Sequence, residues 1–338
     1  VTSALSSPCA SLYLVGMEEQ LLPRGGYIAL SVIMAGVSVM AIILNATVIA
    51  VTLRHRQLQQ PLNYALVNLA VADLGAALCG GVPAALSNAL GYHAGGWAGC
   101  VLEGFSVALF GIAALCSIAL IAVERLLVVA KPLGGIRFRR IHAVLGVALS
   151  WLWSLLWNMP PLFGWGEYEL EGVRTSCGPN WRSRDPSTVS YIICYFLLCF
   201  AVPFAMIVVS YSWLIWTIRQ VARVGCVRRG AAAKAESKVT WMVVAMVLAF
   251  LASWLPYATL AFTVVFDPQI KISSVVAMIP VYMAKSSTIY NPLIYIFMNK
   301  QFQRYAIPFL LCGKNPWPPE EEESEAPTVL SSNRKASV

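Results

Sequence analysis

Seven stretches of the chain, residues 28–53, 62–88, 98–130, 142–164, 189–217, 239–266 and 274–298, are each long and apolar enough to cross a bilayer as a helix, which takes about 20 mostly apolar residues. No other feature constrains the fold as tightly. Hydrophobic residues make up 58% of the sequence and charged residues only 12%, and a mean hydropathy of +0.69 is incompatible with a soluble protein of this length. The expected fold is an all-α membrane protein. A seven-transmembrane helix bundle occupies 28–300 and a short amphipathic eighth helix lies on the membrane surface over 301–312. An extracellular tail covers 1–27, and a disordered cytoplasmic tail rich in Pro, Glu and Ser covers 313–338.

A net charge of +8 would suggest nucleic acid in a soluble protein, but here the basic residues fall in alternate loops. Arg54 and Arg56 follow the first span, Lys131, Arg137, Arg139 and Arg140 the third, and Arg219, Arg223, Arg228, Arg229 and Lys234 the fifth. The positive-inside rule makes those loops cytoplasmic, so an odd number of spans leaves the N-terminus extracellular and the C-terminus cytoplasmic. Topology explains the charge, and membrane lipids rather than nucleic acid are the expected partners. The segment Val1–Gly26 lacks signal-peptide features. The only Asn-x-Ser/Thr triplet starts at Asn45, inside the first span, so no N-glycan is expected. The two halves show no repeat, which weakens a transporter reading.

Nine cysteines without CxxC spacing and three scattered histidines (His55, His93, His142) argue against a zinc site. Cys100 and Cys177 differ from the other cysteines because both fall on the outer, oxidising side, at the start of the third span and in the loop after the fourth. They are expected to form a disulfide.

Lys285 lies near the middle of the seventh span, too deep to snorkel comfortably to water, and a lysine there costs about 2.5–3.5 kcal/mol on insertion scales. A structural lysine paired with an acid is the plainer alternative. A desolvated lysine, however, is a neutral, nucleophilic amine suited to condensing with an aldehyde as a Schiff base. Once protonated, such a base is a buried cation and needs an acid beside it. Glu103, three residues after Cys100, and Glu171, six residues before Cys177, are the candidates, and the disulfide would hold both at the outer side of one cavity. Glu167 and Glu169 flank the same loop and read as solvated.

Trp254, Pro256 and Tyr257 in FLASWLPY, with Phe250 a turn earlier, sit mid-span in the sixth helix, where the proline frees a carbonyl and kinks the helix. NPLIY, containing Asn291, Pro292 and Tyr295, places a second such hinge in the seventh span. Glu124 and Arg125 end the third span, where Arg125 pairs with Glu124 or reaches Glu236 at the base of the sixth. Asp73, within the second span, is expected to hydrogen-bond Asn45 and Asn291.

Over nearly its whole length the chain resembles the rhodopsin-like receptors, and within them the ciliary-type vertebrate opsins. The segments that carry the likeness are LNATVIAVTLRHRQLQQPLNYALVNLAVADL, CVLEGF, PPLFGWGEYELEGVRTSCGPNW, FLASWLPY and AKSSTIYNPLIYIFMNKQF. The lysine five residues before Tyr290 is the specific signal, since NPxxY alone marks only the wider receptor class. The resemblance implies 11-cis-retinal on Lys285, becoming all-trans-retinal in light, in a pocket that includes Gly111, Phe250, Trp254 and Tyr257. It further implies an outward swing of the sixth helix, a heterotrimeric G protein of the transducin/Gi class, and arrestin and a receptor kinase as further partners in a photoreceptor-cell membrane. YELEGVRTSC and SRDPSTVSYI are similar to bistable non-visual opsins, in which the loop glutamate matching Glu171 is the counterion and a glutamate also stands at the Glu103 position. Cys312 matches a palmitoylated position. Three features depart from the family pattern: Leu126 follows Glu124-Arg125 in place of an aromatic residue, the outer tail lacks a glycosylation acceptor, and the inner tail holds few Ser and Thr (Ser324, Thr328, Ser331, Ser332, Ser337).

The sequence leaves three other readings open: an opsin-like retinal photoisomerase, a ligand-activated receptor in which Lys285 is incidental, and a transporter with Lys285 on its substrate path.

Overall fold

The structure, a computed structural model, describes residues 21–129, 138–223, 231–267 and 269–314, with side chains for all of these except 129, 218–223 and 231–237. The expectations for the far N-terminal and C-terminal tails, and for the side chain of Glu236, lie outside the described residues.

Among the described residues six helices are long and apolar enough to cross a membrane. They are α1 (Arg24–Arg54), α2 (Pro61–Leu90), α3 (Gly96–Val129), α4 (Arg140–Asn158), α5 (Pro186–Arg223) and α6 (Ala231–Phe266). The seventh is interrupted. α7 runs Ser274–Ser286, tightens to a 3-10 turn at Ser287–Ile289, and continues Tyr290–Met298. The amphipathic helix α8 (Lys300–Leu310) follows, buries Phe302 and Ala306, and ends before exposed Cys312. Large apolar side chains such as Val32, Leu102, Leu149 and Trp241 are exposed on the bundle, the arrangement a lipid-facing surface requires.

The irregularities in the helices trace to prolines, which cannot donate to the carbonyl four residues earlier. α2 widens to a π turn at Ala77–Gly81 just before Pro83, and α5 does the same at Phe196–Ala201 before Pro203. In α7, Pro292 frees the carbonyl of Thr288, which instead accepts from Asn45 Nδ2 at 2.9 Å. That bond corrects the expectation for Asn45. Its amide serves α7 and the Ala41 carbonyl, and Asp73 accepts from Asn291 Nδ2 at 3.0 Å.

α3 runs through the middle of the bundle and touches α2, α4, α5 and α6. Its first turn is pinned to the loop after α4 by a Cys100–Cys177 disulfide, with Cα atoms 5.3 Å apart. That loop forms an antiparallel hairpin of β1 (Tyr168–Glu171) and β2 (Ser176–Pro179), with Glu171 opposite Ser176. The hairpin closes one end of the bundle over α3 and α7.

Candidate functional site

Below the hairpin lies a cavity lined by Lys285, Glu171, Gly111, Phe250, Trp254 and Tyr257 among others. The aromatic wall comes from α6. Phe250 and Trp254, four residues apart, stack with ring centroids 5.7 Å apart, and Trp254 meets Tyr257 edge-on at 6.1 Å. Four-residue spacing places side chains one turn apart on the same helix face, so one helix presents a continuous aromatic strip. Trp254 Nε1 also donates to Ser287 Oγ at 3.0 Å, tying the strip to the 3-10 turn of α7. Across from it, a Cβ on Gly111 would stand 3.0 Å from the Trp254 ring, so the absence of a side chain keeps the wall open.

Lys285 lies in the last turn of the first segment of α7 and is buried, with 8% of its surface exposed. Its Nζ donates to Glu103 Oε1 at 2.9 Å and reaches the Gly80 carbonyl at 3.5 Å. Glu103 is held on three sides. Ser176 Oγ donates to Oε1 at 3.1 Å, and His93 Nε2 lies 2.9 Å from Oε2. Glu171 is placed differently: it lines the cavity together with Lys285, whereas Glu103 is not among the lining residues. The Glu171 carboxyl lies over Gly178, where a Cβ would come within 2.6 Å of Oε2. Tyr257 OH donates to that Oε2 at 2.9 Å and in turn accepts from Trp181 Nε1 at 2.9 Å. Burial pushes the Glu171 carboxyl up to about 7, against the opposing pull of the Lys285 charge and the Tyr257 hydrogen bond.

The structure thus gathers Lys285, Glu103, Glu171, Trp254, Tyr257, Phe250 and Gly111 at one place. The remaining sequence-predicted residues sit toward the other end. Arg125 Nη2 donates to Glu124 Oε1 at 2.6 Å, both side chains being buried, and Tyr295 OH donates to Asn63 Oδ1 at 3.1 Å. Sequence reasoning missed His93, Ser176, Trp181 and Gly178. His93 was weighed only as a zinc ligand, and its one signal was its place in the same short outer segment as Cys100 and Glu103.

A bundle of membrane-crossing helices, with a buried amine, a buried carboxylate and a half-buried one gathered at one end of an aromatic cavity, defines a seven-transmembrane receptor whose ligand site can hold a cation. The profile described as "7 transmembrane receptor (rhodopsin family)" matches residues 44–295. The chain is 57% identical to parapinopsin of Ictalurus punctatus over 326 residues, 96% of this chain and 94% of that protein. It is 47% identical to pinopsin of Columba livia over 294 residues, 87% of this chain and 84% of that protein. Squid rhodopsin superposes with a TM-score of 0.80 at 30% identity, covering 88% of this chain and 90% of that one. The chain belongs to the rhodopsin family of seven-transmembrane receptors and, within it, to the opsins. It is an integral membrane, light-sensing receptor and not an enzyme; membership implies a retinal chromophore and G-protein partners. The cavity fits such a chromophore: an apolar and aromatic lining, one amine for attachment and the Glu171 carboxyl in the same wall.

Proposed function

We propose that this opsin is a bistable, parapinopsin-like photopigment that takes up 11-cis-retinal at Lys285 Nζ, with Glu171 as counterion and Glu103 as the secondary acid, and signals to a G protein of the transducin/Gi class. The observation that carries this reading is the placement of Lys285 and Glu171 in the wall of one aromatic cavity. Bound retinal supplies light absorption and a cis-to-trans isomerisation. The protein's residues supply the rest. Glu171 sets a negative charge beside the attachment site, and Tyr257 holds that carboxyl in position. Placing a fixed cation in the cavity favours the ionised form of Glu171, opposing the burial that otherwise keeps its proton on. Trp254 and Phe250 form a wall that a change of shape would press upon, and Pro256, inside α6, is the hinge through which that pressure would swing the helix. Arg125 and Glu124 then release their pairing at the far end, which we place in the cytoplasm, with the hairpin end extracellular.

Arrestin and a receptor kinase are proposed as the shut-off partners, acting on the few Ser and Thr of the tail, and Cys312 as a lipid attachment point at the end of α8. Light-dependent nucleotide exchange on a purified Gi-class protein separates this reading from a photoisomerase, which would change retinal without driving exchange. The counterion is tested by titrating the visible band in both light states. Glu171→Gln is expected to lower the pH at which the band is lost by several units, about 1.4 kcal/mol for each, with Glu103→Gln the smaller effect. A collapse confined to Glu103→Gln would make Glu103 the counterion.

A further inference from the structure

His93 lies in the short connection between α2 and α3, yet only 8% of its surface is exposed, and its Nε2 sits 2.9 Å from Glu103 Oε2. The other oxygen of that carboxylate holds Lys285 at 2.9 Å. Glu103 is therefore bridged between two basic groups. Because the carboxylate needs a donor on that side, Nε2 keeps its hydrogen whatever the charge of the ring. The proton that the ring gains or loses is consequently on Nδ1, which is buried with no hydrogen-bond partner among the described residues. The titratable groups turned toward this pair are Lys285 and Tyr282 from α7 and Glu171 from β1. Cys177, whose sulfur is also close, is locked in the disulfide.

A net charge in a buried cluster is costly, so arrangements that sum to zero prevail. Lys285 positive, Glu103 negative, His93 neutral and Glu171 protonated is one such arrangement. Moving a single proton from Glu171 to His93 gives the other, in which His93 neutralises Glu103 and leaves Glu171 as the carboxylate facing Lys285. We infer that His93 is the positioning residue that decides which of the two carboxylates, Glu103 or Glu171, opposes the charge at Lys285, handing that role to Glu171 when its ring is protonated. The proposal rests on the reading of Glu171 as counterion and explains how a carboxylate already 2.9 Å from Lys285 can be the lesser of the two.

The first test needs no retinal. The chain has only three histidines, so 15N-histidine NMR of the retinal-free protein resolves the His93 ring once His55 and His142 are assigned by substitution. Glu171→Gln removes the carboxyl that, on this proposal, gives its proton to His93, and the 15N signals of the charged His93 ring are expected to weaken severalfold relative to the native protein at the same pH. Unchanged His93 ring signals would overturn the proposal.

The second test uses pigment regenerated with 11-cis-retinal in a His93→Gln background, where an amide keeps the hydrogen bond but cannot titrate. There the ranking of Glu171→Gln and Glu103→Gln is expected to invert, with Glu103→Gln now causing the larger fall in the pH of band loss. If Glu171→Gln is equally damaging with His93 and with Gln, the proposal fails and the reading of Glu171 stands. If Glu171→Gln has no effect in the native background, that reading fails instead, and the NMR comparison still decides whether the two groups share a proton. Should the His93→Gln pigment not form, His93→Asn takes its place.

Discussion

The two ends of the helix bundle are built on opposite principles. At the hairpin end a disulfide, an antiparallel hairpin and a continuous polar chain from Trp181 through Tyr257 to Glu171, with a second from His93 through Glu103 to Lys285, tie the site's polar side chains together. Toward the far end Asn291 donates to Asp73 and Tyr295 to Asn63, Asn68 links Ser117, Ser150 and Trp151 across α2, α3 and α4, and Arg125 pairs with its own neighbour in sequence. Buried atoms left without a partner among the described residues are more numerous there, Asn45 Oδ1, Thr52 Oγ1, Tyr211 OH, Thr217 Oγ1 and Asn291 Oδ1, against His93 Nδ1 and Trp157 Nε1 at the hairpin end. Polar groups without partners are costly in place and have something to gain by moving. The contrast teaches that the ligand end is over-determined and the opposite end is poised to rearrange, the division of labour a receptor needs.

The comparison breaks most completely at Lys285. No other lysine lies mid-span in the sequence, so Lys285→Ala is expected to abolish the covalent retinal adduct, measured as chromophore retained by the protein after acid trapping. Wild-type yield would remove the hairpin end from the chemistry altogether. Next in size is Cys177→Ser, which opens a 77-residue loop and should cost about 4 kcal/mol in the chain-entropy account. Melting of the purified protein with and without reductant checks it. Indifference to both would show that hydrogen bonds alone close that end.

Acidity sharpens the contrast further. The Glu171 carboxyl is raised from 4.5 to about 7 by burial, so its contribution to stability is fully present below pH 4.5 and is lost as pH rises through about 7. The retinal-free protein is therefore expected to melt at lower temperature at pH 8 than at pH 5, by at most about 3 kcal/mol, and Glu171→Gln should flatten that slope. A slope that survives the substitution would assign it to another group. The smallest expected effect belongs to the far end: Arg125→Gln should leave the dark spectrum unchanged while light-driven nucleotide exchange falls roughly tenfold or more. A shifted dark spectrum with full exchange would mean that the two ends are not separate in function.

Much of this was legible in the sequence. The seven spans, the mid-span position of Lys285 and the disulfide each follow from a local property: a run of apolar residues, one charge where charge is costly, two cysteines on the oxidising side. The break in α7 was half legible. Pro292 announced a freed carbonyl, but that Asn45, 243 residues away in sequence from Thr288, would satisfy it was not readable. The same holds for His93, an unremarked loop histidine until α2 and α3 bring it against Glu103.

What the sequence by itself determined is therefore the class of molecule, because lipid imposes a one-dimensional rule: segments must be long, apolar and internally hydrogen-bonded, and any exception declares itself. What only the tertiary structure decided is the pairing of charges. Whether Lys285 meets Glu103 or Glu171 depends on how α3 and α7 face one another and where the hairpin lies. A buried ion pair is settled by differences of an ångström or two, to which spacing along the chain is blind.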